Sequence, residues 1–279
     1  MNYILYNPIS GCGKSEENAR KIELEKSECV LVNITSIESY EEFFKSKSPS
    51  DEITVCGGDG TLNRFINGVS DIAFENRIFY YPSGTGNDFY ADIAESHSDM
   101  PVDITEYIKK LPTVTVNGKK YKFINGIGFG IDGYCCEVGD KVREKGKAAN
   151  YTAIAIKGLL FKFKPRNARI TVDGVTREYK KVWIAPTMFG RRYGGGMIPT
   201  PNQSRSANPE KLSLMLFHGS GKLKTLMIFP SIFKGEHVKH TECVEVIEGR
   251  NITVEFDRPT PLQIDGETIL GVTEYTAII

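Results

Sequence analysis

The chain of 279 residues lacks net charge, because 35 Lys and Arg balance 35 Asp and Glu. Without a global field it carries no electrostatic footprint for nucleic acid, and a nucleic-acid partner is not expected. Cysteine is sparse: six residues (Cys12, Cys29, Cys56, Cys135, Cys136, Cys243), none in a Cys-x-x-Cys pair. That pattern excludes a disulfide framework and reads as reduced core or surface thiols. No stretch reaches the roughly 18 uninterrupted apolar residues of a membrane span, and Met1 to Pro8 holds no basic leader segment. A cytoplasmic protein is the resulting expectation. Internal repeats and low-complexity tracts are also missing.

What is there is unevenly placed. Residues 15–110 hold 19 Asp and Glu against 9 Lys and Arg, whereas residues 141–169 hold 9 Lys and Arg against the single Glu144. The length is ample for two domains, and the pattern divides accordingly. Up to about residue 110, strand-like runs (Asn2–Tyr6, Val30–Asn33, Ile53–Cys56, Ile78–Tyr81) alternate with helix-like ones (Glu16–Ser27, Tyr40–Ser46, Leu62–Val69, Asp88–Ala94). Such alternation predicts a parallel sheet with helices on its faces and ligands at the carboxyl ends of its strands.

Beyond Leu111 the pattern turns to hairpins. Strand-like runs flank Asn117-Gly118 and Asp173-Gly174, dipeptides suited to two-residue type I′ turns, and more strands fit Val182–Ala185, Leu212–Phe217, Val244–Ile247, Ile252–Phe256 and Leu262–Ile264. One helix is expected within Ala148–Lys162 and another within Leu223–Phe233. The second half is therefore mostly β.

Two glycine loops fall at predicted strand ends: Gly57-Gly58-Asp59-Gly60-Thr61 and Ser83-Gly84-Thr85-Gly86-Asn87-Asp88. Uncovered main-chain N–H groups there suit phosphate, and Asp59 offers a carboxylate to Mg²⁺ or its water shell. The plainer reading is a tight turn with Asp59 as helix cap. Gly13-Lys14-Ser15 imitates the end of a P-loop, yet Pro8 occupies the first glycine position and lacks the N–H a cradle uses. Asp265-Gly266 reads equally as a hairpin turn or a catalytic carboxylate. His237 and His240, three apart, read as solvent-exposed histidines beside Glu236 rather than a metal pair. Arg191-Arg192, before Gly194-Gly195-Gly196, reads equally as a phosphate contact or as the edge of a loop, and Cys135-Cys136 reads as packing.

Taken in order, Asn7-Pro8-Ile9-Ser10-Gly11, Gly57-Gly58-Asp59-Gly60-Thr61-Leu62-Asn63, Ser83-Gly84-Thr85-Gly86-Asn87-Asp88-Phe89 and Asp265-Gly266-Glu267 resemble the bacterial diacylglycerol kinase-like lipid kinases. Gly194-Gly195-Gly196-Met197 and Gly235-Glu236-His237 extend the resemblance over nearly the whole chain. That family stands with the sphingosine kinases and, more distantly, the NAD kinases and phosphofructokinases. The resemblance implies an α/β ATP-binding domain with a parallel sheet over residues 1–110. It also implies a mostly antiparallel β-sandwich for the lipid over residues 111–269, with 270–279 a segment able to return to the first domain.

Residue by residue, the resemblance assigns ATP to Asn7, Pro8, Ile9, Ser10 and Gly11, and to Gly57, Gly58, Asp59, Gly60, Thr61, Leu62, Asn63 and the adjoining Arg64. It adds Gly84, Thr85, Gly86 and Asn87, and Thr35 at the end of the second strand. Asp59 and Asp103 match a carboxylate pair that holds Mg²⁺ through water, and Asp265, beside Glu267, matches the general base. Two positions depart from the family. Arg64 stands where Glu is usual, and Asn208-Pro209-Glu210-Lys211 replaces an acidic Asp-Asp-Gly stretch associated with a structural Mg²⁺, so that ion is expected to be absent or differently held.

The implied activity is transfer of phosphate from ATP, with Mg²⁺, to a hydroxyl of a lipid such as diacylglycerol, in a cleft between the domains. The enzyme would be cytoplasmic and peripheral to the membrane, visiting an anionic membrane surface. The basic segment 141–169, which encloses an apolar helix, suits that visit, although a core-packed helix with a solvated basic end reads as well. A homodimer stays open. The alternatives are an NAD kinase, against which Ser83 to Asp88 argues, and an inactive nucleotide- or lipid-binding protein.

Overall fold

A computed structural model describes residues 1–84, 86–94, 100–145 and 149–279, with the side chains of Cys12 and Thr152 set aside. The chain divides into Met1–Leu111 and Pro112–Ile279. The first unit runs β1 (Asn2–Tyr6), α1 (Lys14–Glu25), β2 (Cys29–Asn33), α2 (Tyr40–Lys45), β3 (Glu52–Gly57), α3 (Asp59–Val69), β4 (Arg77–Pro82), α4 (Asp88–Ile93), β5 (Val102–Asp103) and α5 (Thr105–Lys109). Its sheet order is β2-β1-β3-β4-β5. The first four strands are parallel, and the short β5 closes one edge antiparallel.

Sequence pattern explains this layering. Ile53, Thr54, Val55 and Cys56 are all buried, as a strand covered on both faces requires. The stripe Leu62, Phe65, Ile66 and Val69 of α3 follows helical spacing and is buried. Ala19 and Ile22 of α1 pack on Ile4 and Cys56. Ser39 starts α2 by accepting the Glu42 N–H at 3.2 Å. Parallel strands send their carboxyl ends to one edge, so the loops after β1, β3 and β4 share it.

The second unit runs β6 (Thr113–Val116), β7 (Lys119–Lys122), β8 (Gly126–Gly130), α6 (Ile131–Arg143) and α7 (Tyr151–Lys157), which continues into a π-helical turn, Gly158–Lys162. Then come β9 (Arg166–Val172), β10 (Val175–Val182), β11 (Ile184–Met188), β12 (Leu212–Phe217), α8 (Lys222–Ile228) with a 3-10 segment Phe229–Lys234, β13 (Val244–Gly249), β14 (Asn251–Ile264) and β15 (Glu267–Ile278). All its pairings are antiparallel, in the order β13-β12-β11-β8-β14-β15-β6-β7 with β9 joining β14 to β10. Asn117, Gly118, Asp173 and Gly174 all take positive φ, as type I′ turns demand. The early part of β14 pairs with β9 and its last three residues with β8, so one long strand serves two regions of the sheet. Helices α6, α7 and α8 cover β11 and β12 through a core that includes Leu159, Phe163, Trp183, Phe217 and Ile228.

The expected fold class is the one found: an α/β unit with a mainly parallel sheet, then an antiparallel β unit. Two details differ. Residues 270–279 do not return to the first unit, because β15 pairs with β14 and β6, and buries Tyr275 and Ala277 in the second unit's own interior. The segment Gly126-Ile127-Gly128-Phe129-Gly130, with no strand foreseen, is β8. Its glycines fit tight quarters: a Cβ on Gly126 would lie 2.4 Å from Met188 Sδ, and one on Gly128 2.6 Å from Pro186 Cα. The helix expected within Ala148–Lys162 is found there, as α7 with its π turn, Ala148 itself falling outside the described residues.

Candidate active site

Three loops meet at the carboxyl ends of β1, β3 and β4. Asn7 ties the first loop to α3: its Nδ2 donates to Thr61 Oγ1 at 3.0 Å, its Oδ1 accepts the Ile9 N–H at 3.2 Å, and its own N–H donates to Ser15 Oγ at 3.1 Å. Ser10 Oγ accepts the Gly58 N–H at 3.2 Å. The Ser83 N–H donates to the Gly57 carbonyl at 2.8 Å. The loops touch main chain to main chain. A Cβ on Gly11 would lie 2.0 Å from the Ser83 carbonyl oxygen, and one on Gly84 would lie 2.6 Å from Gly58 Cα. Ser15, the last residue of the P-loop imitation, is buried and donates to the Cys56 carbonyl at 2.6 Å, a structural duty unlike a phosphate contact.

Asp59 opens α3. Its carboxylate accepts the Asp88 N–H at 2.8 Å and the Phe89 N–H at 3.0 Å, so the acid after β3 caps the helix after β4. The turn reading and the ligand reading are thus compatible in one side chain. Asp88, itself buried, is the acid placed beside Asp59. Asn87 supports this corner with φ 49°, its Oδ1 accepting the Gly84 N–H and its Nδ2 donating to the Gly84 carbonyl, each at 2.9 Å. Thr85 lies outside the described residues. Leu62 is fully buried and Asn63 nearly so, Arg64 projects from the exposed side of α3, and Ile9 is 78% exposed. Thr35 is exposed just past β2, with its N–H and hydroxyl both donating to Asn33 Oδ1.

Asp103 is not brought to Asp59. It lies on β5 opposite Phe79, where it accepts from Arg77 Nε at 3.1 Å and Nη2 at 2.7 Å, and from the Thr105 N–H and hydroxyl. Arg77 begins β4 and also reaches Glu52, which begins β3, so Asp103 belongs to the amino-terminal edge of the sheet, opposite the glycine loops. Burial alone would raise its pKa, but the Thr105 and Arg77 hydrogen bonds outweigh that and hold it below the usual carboxylate range. The structure therefore does not bring Asp103 together with Asp59; the acid next to Asp59 through its backbone is Asp88. The sequence carried that signal inside the Asn87-Asp88 motif, where Asp88 went without a role.

In the second unit, Asp265 and Gly266 form the β14–β15 turn with φ 46° and 91°. Asp265 is buried, and its carboxylate accepts three successive backbone N–H groups, from Ile124 at 2.7 Å, Asn125 at 2.8 Å and Gly126 at 2.9 Å. A hairpin turn needs no such cradle. Arg205 braces it from behind, donating to the Ile124 carbonyl and to Asn125 Oδ1. Glu267 is exposed at the start of β15.

Asp132, at the start of α6, went unnoticed in the sequence. Burial pushes its carboxyl up to about 6, although Oδ2 accepts the Tyr193 hydroxyl at 3.2 Å. Its Oδ1 and Gln263 Nε2 are both buried without a hydrogen-bond partner. Only tertiary packing marks this residue. His237 is fully buried, not exposed as expected, with Nε2 2.8 Å from the Pro199 carbonyl oxygen. Among the described residues no group of three or more His, Cys, Asp and Glu could hold a metal ion. In the departing stretch, Lys211 pairs with Glu248 at 3.0 Å.

Comparison with known proteins covers both units. A family model described as "Diacylglycerol kinase catalytic domain" matches residues 2–117, and one described as "YegS C-terminal NAD kinase beta sandwich-like domain" matches residues 125–277. The Bacillus subtilis protein named "Putative lipid kinase YtlR" is 27% identical over 247 residues, covering 80% of this chain and 75% of that protein. The Mycobacterium tuberculosis H37Rv protein named "Diacylglycerol kinase" is 28% identical over 218 residues, covering 75% of this chain and 68% of that one. The crystal structure of a "putative diacylglycerol kinase" from Bacillus anthracis str. Sterne shares the fold, with TM-score 0.69 at 19% identity over 100% of this chain and 92% of that one. With both halves matched in order along one shared fold, the chain belongs to the bacterial diacylglycerol kinase-like lipid kinase family.

Proposed function

We propose that this chain transfers the γ-phosphoryl group of ATP, with Mg²⁺, to a hydroxyl of diacylglycerol or a closely related lipid at a membrane surface. The observation that carries this reading is the main-chain packing of three glycine loops at one sheet edge, with Asp59 fixed among them by two amide hydrogen bonds. Backbone so bare of side chains suits a polyphosphate, whose charge meets N–H groups and helix amino termini. Asp59 and Asp88 would hold Mg²⁺. Two carboxylates suffice, because this ion keeps several waters and takes phosphate oxygens as further ligands. When bound, the ion neutralises charge on the transferring phosphoryl group.

Asp265 is the base in this reading. As the acceptor oxygen bonds to phosphorus, its proton passes to the Asp265 carboxylate and the bond to the ADP oxygen breaks. The three amides of Ile124, Asn125 and Gly126 fix that carboxylate in one orientation. Gln263 Oε1 accepts the Gly266 N–H at 2.9 Å and so steadies the same turn.

Turnover of γ-labelled ATP should be measured with diacylglycerol micelles, with NAD and with no acceptor. Transfer to diacylglycerol alone, lost in Asp265→Asn, is the expected result. Transfer to NAD would replace the lipid by a nucleotide acceptor, and ATP binding without turnover would make the chain a binding protein.

A further inference from the structure

Several exposed lysines of this chain, Lys21, Lys45, Lys109, Lys141 and Lys239 among them, are paired with carboxylates, and others are not; one unpaired group gathers in two segments. Residues 149–169 carry five Lys and Arg and residues 219–235 carry three, and neither segment holds an acid. Among the described residues, Lys157, Lys162, Lys164, Lys222 and Lys234 have no carboxylate within ion-pair distance, while Lys224 pairs with Glu242 at 2.8 Å. The same two segments hold a group of large apolar side chains facing water: Phe161, Leu223 and Met227 are each 75% exposed, Ile156 43% and Phe233 39%.

These residues lie on packed elements. Leu159 and Phe163 of the segment after α7 enter the same core as Ile228, Phe229 and Ile232 of α8 and its 3-10 extension. Lys222 Nζ donates to the Leu160 carbonyl at 3.3 Å, which joins the two elements at their outer face. Leu223 and Met227 are four apart on α8, hence on one side of that helix, opposite the buried Thr225 and Ile228. A core explains the inward residues of both elements, and leaves the outward ones to be explained.

From this face we infer that the tip formed by α8 and the π-helical turn Gly158–Lys162 is a membrane-docking surface for anionic lipid. Exposed apolar side chains enter the boundary of the acyl region while unpaired lysines at the same level meet negative headgroups. Five unpaired cations with no acid in either segment make the face complementary to an anionic surface and unsuited to a second copy of itself, which would bring lysine against lysine. The inference rests on the lipid-kinase reading only for its purpose; the binding it asserts is measured without turnover.

The test is sedimentation of the purified full chain with phosphatidylcholine vesicles, with and without phosphatidylglycerol. Wild type should sediment with the anionic vesicles, and release as salt rises. Leu223→Ser with Met227→Ser should weaken binding at least about tenfold, and Lys162→Gln with Lys222→Gln about twentyfold. All four positions are exposed, and thermal denaturation checks that the variants fold. Unchanged binding in both pairs, or equal binding to neutral vesicles, overturns the inference. Self-association abolished by Leu223→Ser, without vesicle binding, would assign the face to a second copy instead. Turnover on a short-chain, monomeric diacylglycerol separates the two readings: vesicle binding without any turnover sinks the kinase and leaves the docking surface standing, and full turnover without vesicle binding does the reverse.

Discussion

Asp59 and Asp103 are one residue type in two environments. Asp59 accepts the backbone amides of Asp88 and Phe89 at the edge that carries the glycine loops, whereas Asp103 is engaged by a guanidinium and a hydroxyl at the opposite edge. We expect Asp59→Asn to cut phosphotransfer at least about a hundredfold, as loss of a metal-site carboxylate does. Asp103→Asn should cost at most about 1 kcal/mol of stability, its pair being solvent-screened, and leave turnover near wild type. Steady-state rates beside melting temperatures decide this; equal losses of turnover would return Asp103 to the metal site. Asp132 makes a pH prediction. Its folded pKa of about 6 exceeds that of an unfolded carboxyl, so its contribution to stability is complete below about pH 4 and is lost as pH rises to about 6. Asp132→Asn should therefore gain on wild type by about 3 kcal/mol across that window in denaturant titrations; a constant difference would contradict the burial argument. The sequence displayed Asp59 and Asp265 because glycines flank them. It hid Asp132, whose character comes from packing, and it offered Asp103 only through a resemblance that says nothing of Arg77.

At the scale of elements, alternation of strand-like and helix-like runs was enough to place the first four strands and helices of the first unit within about three residues, though not the short β5, since both periods are strong there. β8 escaped because three glycines in five residues erase the apolar signature of a strand; their reason is the crowding of Met188 and Pro186 from β11, a tertiary fact. The same crowding governs the loops. Gly84→Ala should separate the second and third loops and weaken ATP binding at least about tenfold with a stability loss of about 1–3 kcal/mol. Gly118→Ala, at a hairpin tip with nothing within 4 Å, should cost about 1 kcal/mol through its positive φ alone and spare nucleotide affinity. Calorimetric ATP titration of both variants is the check, and equal affinities would deny the loops their phosphate. The β14–β15 turn adds a warning for mutagenesis: Asp265→Asn sets an NH₂ group against backbone donors, at a cost of about 2 kcal/mol. Its lost turnover counts only if the variant remains folded at the assay temperature.

For the whole molecule, zero net charge conceals an acidic first unit and a basic run in the second, a division plain in the sequence. The cations gain meaning only from the structure, which shows which lysines have carboxylates and which stand beside exposed Phe161, Leu223 and Met227. The order of the glycine and aspartate motifs made the family legible from the chain alone, and the two family models confirm it over both units. The acyl-binding residues stayed illegible, since Leu, Ile, Phe and Val serve a core equally well. The most direct test of the account follows the phosphoryl group itself. The purified chain is incubated with γ-labelled ATP, Mg²⁺ and diacylglycerol in mixed micelles, and the products are resolved by mass spectrometry. The account predicts label in phosphatidic acid, dependent on Mg²⁺ and on Asp59; label found only in free phosphate or in a water-soluble acceptor would contradict it.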